Sequence, residues 1–500
     1  MKALYILAIL VINFTISRAQ DFKNIVVQST IDEVQPMTGI VFWQGDNTNT
    51  DAISLEYSYM LFNKVVKEKG EYNWKVVDDL LEDVASRNHQ AILRFRYTYV
   101  GYNTSVPDYI KNLPDYHETK GKSEGETTWF PDWSHKELQD FTLDFYSKFA
   151  DRYDNDPRLA FVQVGFGLWA EYHIYDGPFI LGKTFPSKSY QERFFYHLDS
   201  VFNIIPWSIS IDAADDHYSP LEEKPELLDL RFGNFDDSFM AEEHPYVNAL
   251  NWKFFGKNRY INSPAGGEFS YYTDYDQEHV LDLPNGAHGV SYEESAKKFH
   301  ISYIIGNDQP GYQSMDRIKD ASLASGYKFQ IVSLKTKTDS SIVVIKNVGI
   351  APIYYDAYPA INFVEAKQSL KGLAPDENRT FYISSGGEDP NISIECSHIL
   401  QTQKIGFYGT NYSAINKIEK LKSEVYPTMI SNDRPLVITV ESREKTILNI
   451  FDIRGKLIYK SVLNNKINTI ETETFPYGIL FVKLDSENKI SINKVIKNNG

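Results

Sequence analysis

The sequence predicts an α/β protein in which a (β/α)8 barrel, the TIM barrel fold, is followed by a β-sandwich and a small C-terminal β-sandwich. Over about the first 310 residues, short apolar runs alternate with helix-like segments, which is typical of a mostly parallel sheet. Eight such runs can be counted, and eight strands alternating with helices close into a barrel. From about residue 326, short strands separated by turn residues replace this alternation, which indicates a sandwich.

The barrel strands are expected where apolar runs are bounded by turns or helices. They are predicted at residues 39–43, 55–62, 91–97, 159–164, 207–212, 230–234, in a segment ending at Glu268, and at 301–307. Helices are predicted at 73–88, 134–153, 190–202 and around 246–257, with apolar residues of the first recurring at helical spacing. Ser134 is the expected N-cap of the second helix, with Glu137 completing a capping box.

The chain is expected to divide into five parts. These are a signal peptide (1–19), the catalytic barrel (20–325), the β-sandwich (326–410), a linker (411–424) and a terminal unit (425–500). The signal peptide is predicted from an apolar run after Met1 and Lys2 that ends in a small-x-small cleavage site closed by Ala19. That run is shorter than the ~20 residues of a membrane span, and no later stretch reaches that length. The sequence therefore predicts an exported protein without a transmembrane segment.

Charge and motif content narrow the partners and cofactors. The formal net charge is −16, which argues against nucleic acid or an anionic membrane surface as partner. Gly233-Asn234 and Gly266-Gly267 form neither a P-loop nor a GxGxxG pattern, so a nucleotide cofactor is not expected. No GxSxG sequence stands at a predicted strand-to-helix turn, so a serine hydrolase is not expected either. Asp212, Asp215, Asp216 and His217 cluster in sequence, but without the spacing of a known metal motif. We predict neither a cofactor nor a metal.

Two glutamates carry the functional prediction. Glu171 follows the apolar strand 159–164 in the segment GFGLWAEYH, and Glu268 ends a later strand in SPAGGEF. The chain between them has room for roughly three βα units of ~30 residues. Because the carboxyl ends of barrel strands form one mouth, we expect the two carboxyl groups to converge there, roughly 5–5.5 Å apart, as in a retaining glycosidase.

Further residues are candidates for substrate binding because they lie near strand ends or carry aromatic faces. They are Trp43, Arg94, Arg96, Trp129, Trp169, His173, Asp212, Asn234, Asp236 and Asn307. Trp133 is a further stacking candidate. Arg94 or Arg96 would favour the ionised form of Glu268, while burial beside Trp169 and Tyr172 would keep Glu171 protonated.

The terminal unit resembles the C-terminal sorting domain of the type IX secretion system of Bacteroidetes. The resemblance lies in the turn DIRGK at 452–456, the strand YGI at 477–479 and the closing KVIKN at 494–498. It implies that the secretion machinery is a partner. It also implies passage through the periplasm and across the outer membrane, usually with removal of this domain, followed by release or attachment at the cell surface.

The body of the chain resembles secreted barrel-plus-sandwich proteins of the glycoside hydrolase superfamily whose function is poorly assigned. The motifs are GEYNW at 70–74, GLWAEYH at 167–173, PAGGEF at 264–269 and NVGIAP at 347–352. In retaining barrels of this superfamily the acid/base follows strand four and the nucleophile follows strand seven, which corresponds to Glu171 and Glu268. Many such enzymes have Asn directly before the acid/base, where this chain has Ala170.

The sequence therefore predicts a secreted glycoside hydrolase, with Glu171 as acid/base and Glu268 as nucleophile. Its expected substrate is a plant or algal polysaccharide or oligosaccharide. The alternative is a carbohydrate-binding protein of the cell surface whose barrel has lost turnover. The alternative would keep the aromatic residues but would tolerate the loss of either glutamate.

Overall fold

The computed structural model describes residues 21–410, 419–432, 434–440, 445–453, 456–486 and 489–498. The chain forms two compact units, Met1–Thr410 and Asn411–Gly500. The predicted signal peptide (1–19), most of the predicted linker (411–418) and the turn residues 454–455 lie outside the described residues.

The first unit contains eighteen strands and nine α-helices among its described residues. The strands are β1 Lys23–Ile25, β2 Gly39–Trp43, β3 Leu55–Leu61, β4 Gln90–Arg96, β5 Thr119–Ser123, β6 Glu126–Phe130, β7 Leu159–Val164, β8 Trp207–Ser210, β9 Phe232–Phe239, β10 Ala265–Phe269, β11 Tyr303–Ile305, β12 Phe329–Lys337, β13 Ser340–Asn347, β14 Ala357–Ile361, β15 Val364–Glu365, β16 Asn378–Ile383, β17 Ile392–Cys396 and β18 Phe407–Tyr408. The helices are α1 Phe62–Val65, α2 Lys75–Ser86, α3 Asp108–Lys111, α4 Lys136–Tyr153, α5 Lys188–Val201, α6 Asn248–Phe254, α7 Asp274–His279, α8 Tyr292–Phe299 and α9 Met315–Ala324.

Eight strands form a closed barrel, which confirms the predicted fold class. Around the barrel the order is β2-β3-β4-β7-β8-β9-β10-β11, and β11 returns to β2. Every neighbouring pair is parallel. The fourth barrel strand, β7, is buried along its whole length, as expected for a strand covered on both faces. Strand β9 extends to Phe239, five residues beyond the predicted end at Asn234.

The N-terminus of α4 differs from the prediction. His135, not Ser134, is the N-cap, and its ring accepts a hydrogen bond from the Glu137 backbone N–H. The Ser134 hydroxyl instead donates to Asp132 Oδ1 at 2.5 Å. A side chain already held by an aspartate is not available to cap the helix.

The β-sandwich packs on the amino-terminal ends of barrel strands. Its sheets have the orders β1-β12-β13-β16, with β18 beside β12, and β15-β14-β17. His398 Nε2 lies 2.9 Å from the Leu159 carbonyl oxygen, and Gln90 Nε2 donates to the His398 carbonyl at 3.0 Å. Leu159 and Gln90 are the first residues of β7 and β4. The carboxyl-terminal ends, where barrel enzymes carry their active sites, therefore lie on the opposite side.

The second unit is built from two sheets around its own apolar core. Its strands are β19 Glu419–Lys420, β20 Ser423–Tyr426, β21 Met429–Ile430, β22 Leu436–Val440, β23 Thr446–Asp452, β24 Leu457–Leu463, β25 Ile467–Ile470, β26 Gly478–Ser486 and β27 Lys489–Lys497. One sheet has the order β19-β27-β26-β23-β24, with β21 beside β27, and the other has the order β20-β22-β25. Ile438 of one sheet and Leu448 of the other belong to the same buried cluster.

None of the helices in the described part of the chain has both the length and the apolar composition needed to cross a membrane.

Candidate active site

Arg94 is the centre of a polar cluster at the carboxyl-terminal end of the barrel. Its side chain extends from β4 and is almost completely buried. Nε donates to Gln163 Oε1 of β7 at 2.8 Å, and Nη1 donates to the Trp169 carbonyl at 3.2 Å. The guanidinium also pairs with Asp237 of β9, with Nη1 2.6 Å and Nη2 3.2 Å from its carboxylate oxygens. One cation therefore connects three strands with the loop that carries Glu171.

Glu171 lies in a loop after β7 whose backbone turns back on itself. The Gly167 N–H donates to the Glu171 carbonyl at 2.8 Å. A Cβ on Gly167 would lie 1.9 Å from the His173 carbonyl oxygen, so the loop can close only around glycine. Trp169 and Ala170 have φ values of 53° and 58°, in the left-handed region that is costly for residues with a side chain. Backbone strain of this kind clusters at active sites and ligand clamps.

The environment of the Glu171 carboxyl group favours its protonated form. Oε1 lies 3.9 Å from Arg94 Nη1. Burial, and then the negative charge of Asp237, raise the pKa of Glu171 well above its usual range, against the opposing charge of Arg94. A hydrogen bond to Asp237 also stabilises the protonated form. Glu171 therefore has the environment of a carboxylic acid that keeps its proton near neutral pH.

His173 lies between Glu171 and a second carboxylate. Its Nε2 is 3.3 Å from Glu171 Oε2, close but not aligned for a hydrogen bond, and its Nδ1 is 3.0 Å from Asp212 Oδ2. Asp212 follows β8 and accepts a hydrogen bond from Ser210 Oγ at 2.9 Å. Burial would raise the pKa of Asp212, but the charge and hydrogen bond of His173 and the Ser210 hydroxyl outweigh it and hold the pKa below its ordinary value. An ionised Asp212 orients the imidazole so that its other nitrogen faces Glu171.

Glu268 reaches the same mouth from β10. It pairs with Ile305 of β11, and the register of β10 against β9 shifts between Gly267 and Phe269, which is the kind of irregularity that redirects a side chain. Oε1 of Glu268 is buried without a hydrogen-bond partner among the described residues. Burial first, and the charge of Asp237 second, raise the pKa of Glu268 to about 8, although Arg94 opposes both.

The two glutamates share their surroundings. The charges of Glu268 and Glu171 both act on the phenols of Tyr59 and Tyr99, and both glutamates respond to Asp237. The structure therefore brings the two predicted carboxyl groups into one mouth. The 5–5.5 Å separation expected of a retaining enzyme stays a prediction.

Asp237 belongs to the mouth and was not among the residues selected from the sequence. Phe235 of β9 lies 4.1 Å below the Arg94 guanidinium, and Asp237, two residues further along the strand, pairs with that arginine. Side chains two apart on a strand share a face. The alternation of β9 would have identified Asp237 if its full length had been recognised.

Asn234 and Asp236 lie on the other face of β9, outside the mouth. Asp236 accepts hydrogen bonds from Trp252 Nε1 at 2.9 Å and from Asn248 Nδ2 at 2.7 Å, which attach α6 to the barrel. Asn234 and Trp252 line a cavity of about 180 Å³ on this outer side. Asn234 and Asp236 are therefore not in a position to bind a ligand held between Glu171 and Glu268, and we exclude both from the candidate site.

Aromatic side chains line one side of the mouth. We call Trp43, Tyr59, Tyr99, Trp169 and Tyr175 the aromatic rim, because successive ring centroids are 5.8, 5.7, 6.4 and 5.9 Å apart. Tyr175 is 54% exposed. Aromatic faces beside a few convergent polar groups are typical of small-molecule sites.

The remaining predicted residues differ in how they relate to the mouth. Trp129 lies on the β5–β6 hairpin, and its backbone N–H donates to the carbonyl of Tyr102, whose ring packs against Tyr99 of the rim. Asn307 follows β11, and its Oδ1 accepts a hydrogen bond from the Trp43 backbone N–H at 2.9 Å, so it positions the rim. Trp133 is completely buried and packs between Tyr97 and Phe166, which removes it as a stacking candidate.

One group of side chains in the described chain has donor atoms that lie close enough together to hold a metal ion. It consists of Glu171, His173 and Asp212. One ligand atom from each lies within 4.8 Å of the others. However, the Nδ1 atom of His173 is already paired with Asp212, and its Nε2 atom faces Glu171 at 3.3 Å without a hydrogen bond. The three side chains therefore form a chain of contacts from Asp212 through the imidazole to Glu171, which the spacing of these residues in the sequence does not indicate.

Comparison with known proteins identifies the C-terminal unit. Residues 424–498 match the family model described as "Secretion system C-terminal sorting domain". The predicted sorting domain is confirmed, and it indicates export by the type IX secretion system, to the medium or the cell surface. The comparison with curated protein sequences gave no match.

Several solved glycosidases have a similar architecture at low identity. The galactosidase domain of an α-galactosidase–sucrose kinase has 11% identity and a TM-score of 0.33, covering 72% of this chain and 56% of that one. An α-galactosidase from Geobacillus stearothermophilus has 12% identity and a TM-score of 0.33, with coverages of 69% and 55%. A β-galactosidase from Halorubrum lacusprofundi has 8% identity and a TM-score of 0.36, with 57% of each chain covered. This chain thus spans little more than half of each, and the barrel assignment depends on its own strand pairing.

Proposed function

We propose that this protein is a secreted retaining glycoside hydrolase, with Glu171 as general acid and base and Glu268 as nucleophile. The observation that carries the proposal is a pair of glutamates, Glu171 buried and Glu268 half-buried, that come from the ends of the fourth and seventh barrel strands and share Asp237 and Arg94 at the carboxyl-terminal mouth. The barrel at 20–325 is the proposed catalytic part, and a plant or algal polysaccharide or oligosaccharide is the proposed substrate.

The first chemical step requires a protonated and an ionised carboxyl group together. Arg94 neutralises Asp237, which leaves Glu171 and Glu268 to share one proton. We assign that proton to Glu171, because the neighbouring Asp237 stabilises the protonated form of its carboxyl group. Glu171 then donates it to the departing glycosidic oxygen while the Glu268 carboxylate attacks the anomeric carbon, so that the glycosidic bond breaks and an ester to Glu268 forms.

The second step reverses the role of Glu171. The Glu171 carboxylate accepts a proton from a water molecule, whose oxygen attacks the anomeric carbon and releases Glu268. His173, held by Asp212, lies 3.3 Å from Glu171 and flanks the proposed acid. Trp169 and Tyr175 offer ring faces for the sugar beside the acid.

The test is hydrolysis by the mature secreted protein of aryl glycosides and a polysaccharide panel, with the first-formed anomer identified by NMR. Retention of configuration is expected. Replacing Glu268 with Ala should abolish turnover, and azide should restore cleavage of an activated substrate with an inverted product. Glu171→Ala should impair substrates with poor leaving groups far more than activated ones.

Glu82→Gln is the matched control, because Glu82 is an exposed glutamate on α2. This variant should keep full activity. Full activity in both site variants would overturn the assignment. If the wild type binds glycans and hydrolyses none, the carbohydrate-binding alternative replaces it.

The ends of the chain complete the proposal. Residues 1–19 are removed on passage into the periplasm, and the sorting domain directs transport across the outer membrane. Mass spectrometry of the secreted protein should find an N-terminus near Gln20, and material that begins at Met1 would contradict this step.

A further inference from the structure

Arg96 is a cation in the mouth that none of the carboxylates in the described part of the chain neutralises. Its guanidinium lies 4.2 Å from the ring centroid of Tyr99 and 5.8 Å from those of Tyr59 and Tyr102. Nε is buried and has no hydrogen-bond partner among residues 21–410 or the other described segments, and none of the carboxylates there forms an ion pair with this side chain. Burial lowers the pKa of Arg96, and the groups that oppose this effect are phenols.

A comparison with Arg94 shows why the missing counter-ion of Arg96 is informative. Arg94 and Arg96 are two residues apart on β4 and share a face, with Arg96 ~7 Å nearer the open end. Arg94 is fully paired with Asp237 and bound to Gln163 and the Trp169 carbonyl. The chain carries 67 acidic residues, so acidic partners are abundant, yet none of the described ones pairs with Arg96. A partly buried, unpaired guanidinium is costly unless a ligand completes its hydrogen bonds.

The position of Arg96 is next to the proposed reaction centre. Tyr59 and Tyr99, which contact Arg96, are the phenols on which the charges of both Glu171 and Glu268 act. Apart from Arg94, which is paired with Asp237, the charged groups of the rest of the mouth are the carboxyl groups of Asp212, Glu171 and Glu268 and the His173 imidazole. An anionic ligand would be repelled there unless a cation received its charge, and Arg96 is placed to do so.

We propose that Arg96 binds an oxyanion on the substrate, so that the glycan cleaved in this mouth carries carboxylates, as in uronic acids, or sulfate esters. The inference rests on the proposed function, because it names the substrate class of the same site. The planar fork of arginine matches the two oxygens of such a group bidentately, and the flanking tyrosines offer ring faces to the sugar that carries it. Arg96 is then a specificity-determining residue that takes no part in proton transfer.

The experiment measures binding separately from turnover. Isothermal titration of the mature protein is carried out with oligogalacturonate, with a sulfated carrageenan oligosaccharide and with a neutral mannan oligosaccharide. The variants are Arg96→Gln, Arg96→Lys and, as control, Arg193→Gln, which removes an exposed arginine of α5. We expect one of the two acidic ligands to bind, and binding to weaken about 10- to 100-fold in Arg96→Gln and less in Arg96→Lys. Arg193→Gln should bind as the wild type does.

A ligand-side comparison keeps the test valid if Arg96→Gln fails to fold. Glucuronate and glucose, and galacturonate and galactose, differ only at C6, and the acid of one pair should compete better against the bound oligosaccharide. Which acidic ligand binds distinguishes a carboxylate from a sulfate. Equal affinity of the wild type and a folded Arg96→Gln variant for acidic glycans would overturn the inference. Binding of neutral glycans alone, or of none, would also overturn it.

The two proposals fail in different ways. If neutral glycosides are hydrolysed and Arg96→Gln has no effect, the glycosidase assignment survives and the acidic-substrate inference is wrong. If acidic glycans bind through Arg96 but none is cleaved, the inference survives and the catalytic assignment is wrong.

Discussion

Replacing Glu268 with Gln should stabilise the fold while it removes activity. Burial and the charge of Asp237 raise the pKa of Glu268 from 4.5 to about 8, so the folded protein holds the ionised form at a cost that the unfolded chain does not bear. A raised carboxyl pKa means that stability is fully present below pH 4.5 and is lost as the pH rises towards 8. Glutamine is neutral and nearly isosteric, so the variant avoids this loss.

The size of this loss of folding stability follows from the pKa shift of Glu268. Each pKa unit is worth about 1.36 kcal/mol, so the loss at pH 7 has a ceiling of about 3 kcal/mol, and relaxation around the pair reduces it to about 1–3 kcal/mol. We therefore expect the melting temperature of Glu268→Gln to exceed that of the wild type by roughly 2–6 °C at pH 7–8, and by nothing measurable near pH 4.

Differential scanning fluorimetry across pH 4–9 measures this difference directly. Glu82→Gln, which changes an exposed glutamate, should stay within about 0.5 kcal/mol of the wild type at every pH. A Glu268→Gln variant that is no more stable than the wild type at pH 8 would refute the reasoning. It would mean that the Glu268 carboxylate is solvated and that the mouth does not perturb it.

Three further predictions follow from the same contacts. The value of kcat/KM should fall as the pH drops below about 8, because the proposed nucleophile Glu268 must be ionised. The Asp237→Asn variant should show this fall at lower pH, because it lacks the neighbouring negative charge. A fall that begins only near pH 4.5 in the wild type would contradict the pKa shift of Glu268. Gly167→Ala should abolish activity or folding, because the added Cβ would collide with the His173 carbonyl oxygen. Ala170→Gly should raise the melting temperature slightly, because glycine adopts the left-handed conformation of this position without strain. Thermal melts and activity assays measure both effects, and equal effects of the two changes would contradict the loop geometry. Deleting residues 425–500 should leave a folded protein in the periplasm, as measured by cell fractionation, and secretion of the truncated protein would count against a sorting role.

The sequence predicts the barrel well because its strands are buried on both faces. The segment 159–164 is apolar except for Gln163 and is sharply bounded, and β7 has these same bounds. The prediction weakens where polar residues continue a strand. Strand β9 runs through Asp236 and Asp237 to Phe239, and a run of acidic residues gives no apolar signal. The apolar pattern therefore predicts too early an end for this strand, and it indicates Asp236, on the outer face, where the structure has Asp237 in the mouth.

Local chemistry was harder to predict than topology for a similar reason. Ser134 is a good N-cap by type, but Asp132 competes for its hydroxyl, and that competition depends on how the loop before α4 folds. Trp133 has a side chain of the type that stacks on sugars, but it is completely buried in the hydrophobic core. The residue type determines which interactions a side chain is able to form, and the neighbouring residues in the folded structure determine which of these interactions it does form.

The two arginines of β4 carry this argument to the candidate site. In sequence they are equivalent, since each follows an apolar residue near the end of one strand and each was expected to favour an ionised Glu268. The structure separates them through one carboxylate: Asp237, 143 residues further along the chain, pairs with Arg94, and none of the described carboxylates pairs with Arg96. The same carboxylate raises the pKa of both glutamates. In the proposed mechanism, a residue that takes no direct part in the chemistry thus decides which glutamate keeps the proton, and in the proposed substrate binding it leaves Arg96 as the arginine that receives the ligand. Such a role is set by strand pairing across the barrel, so it can be found only once the barrel is closed.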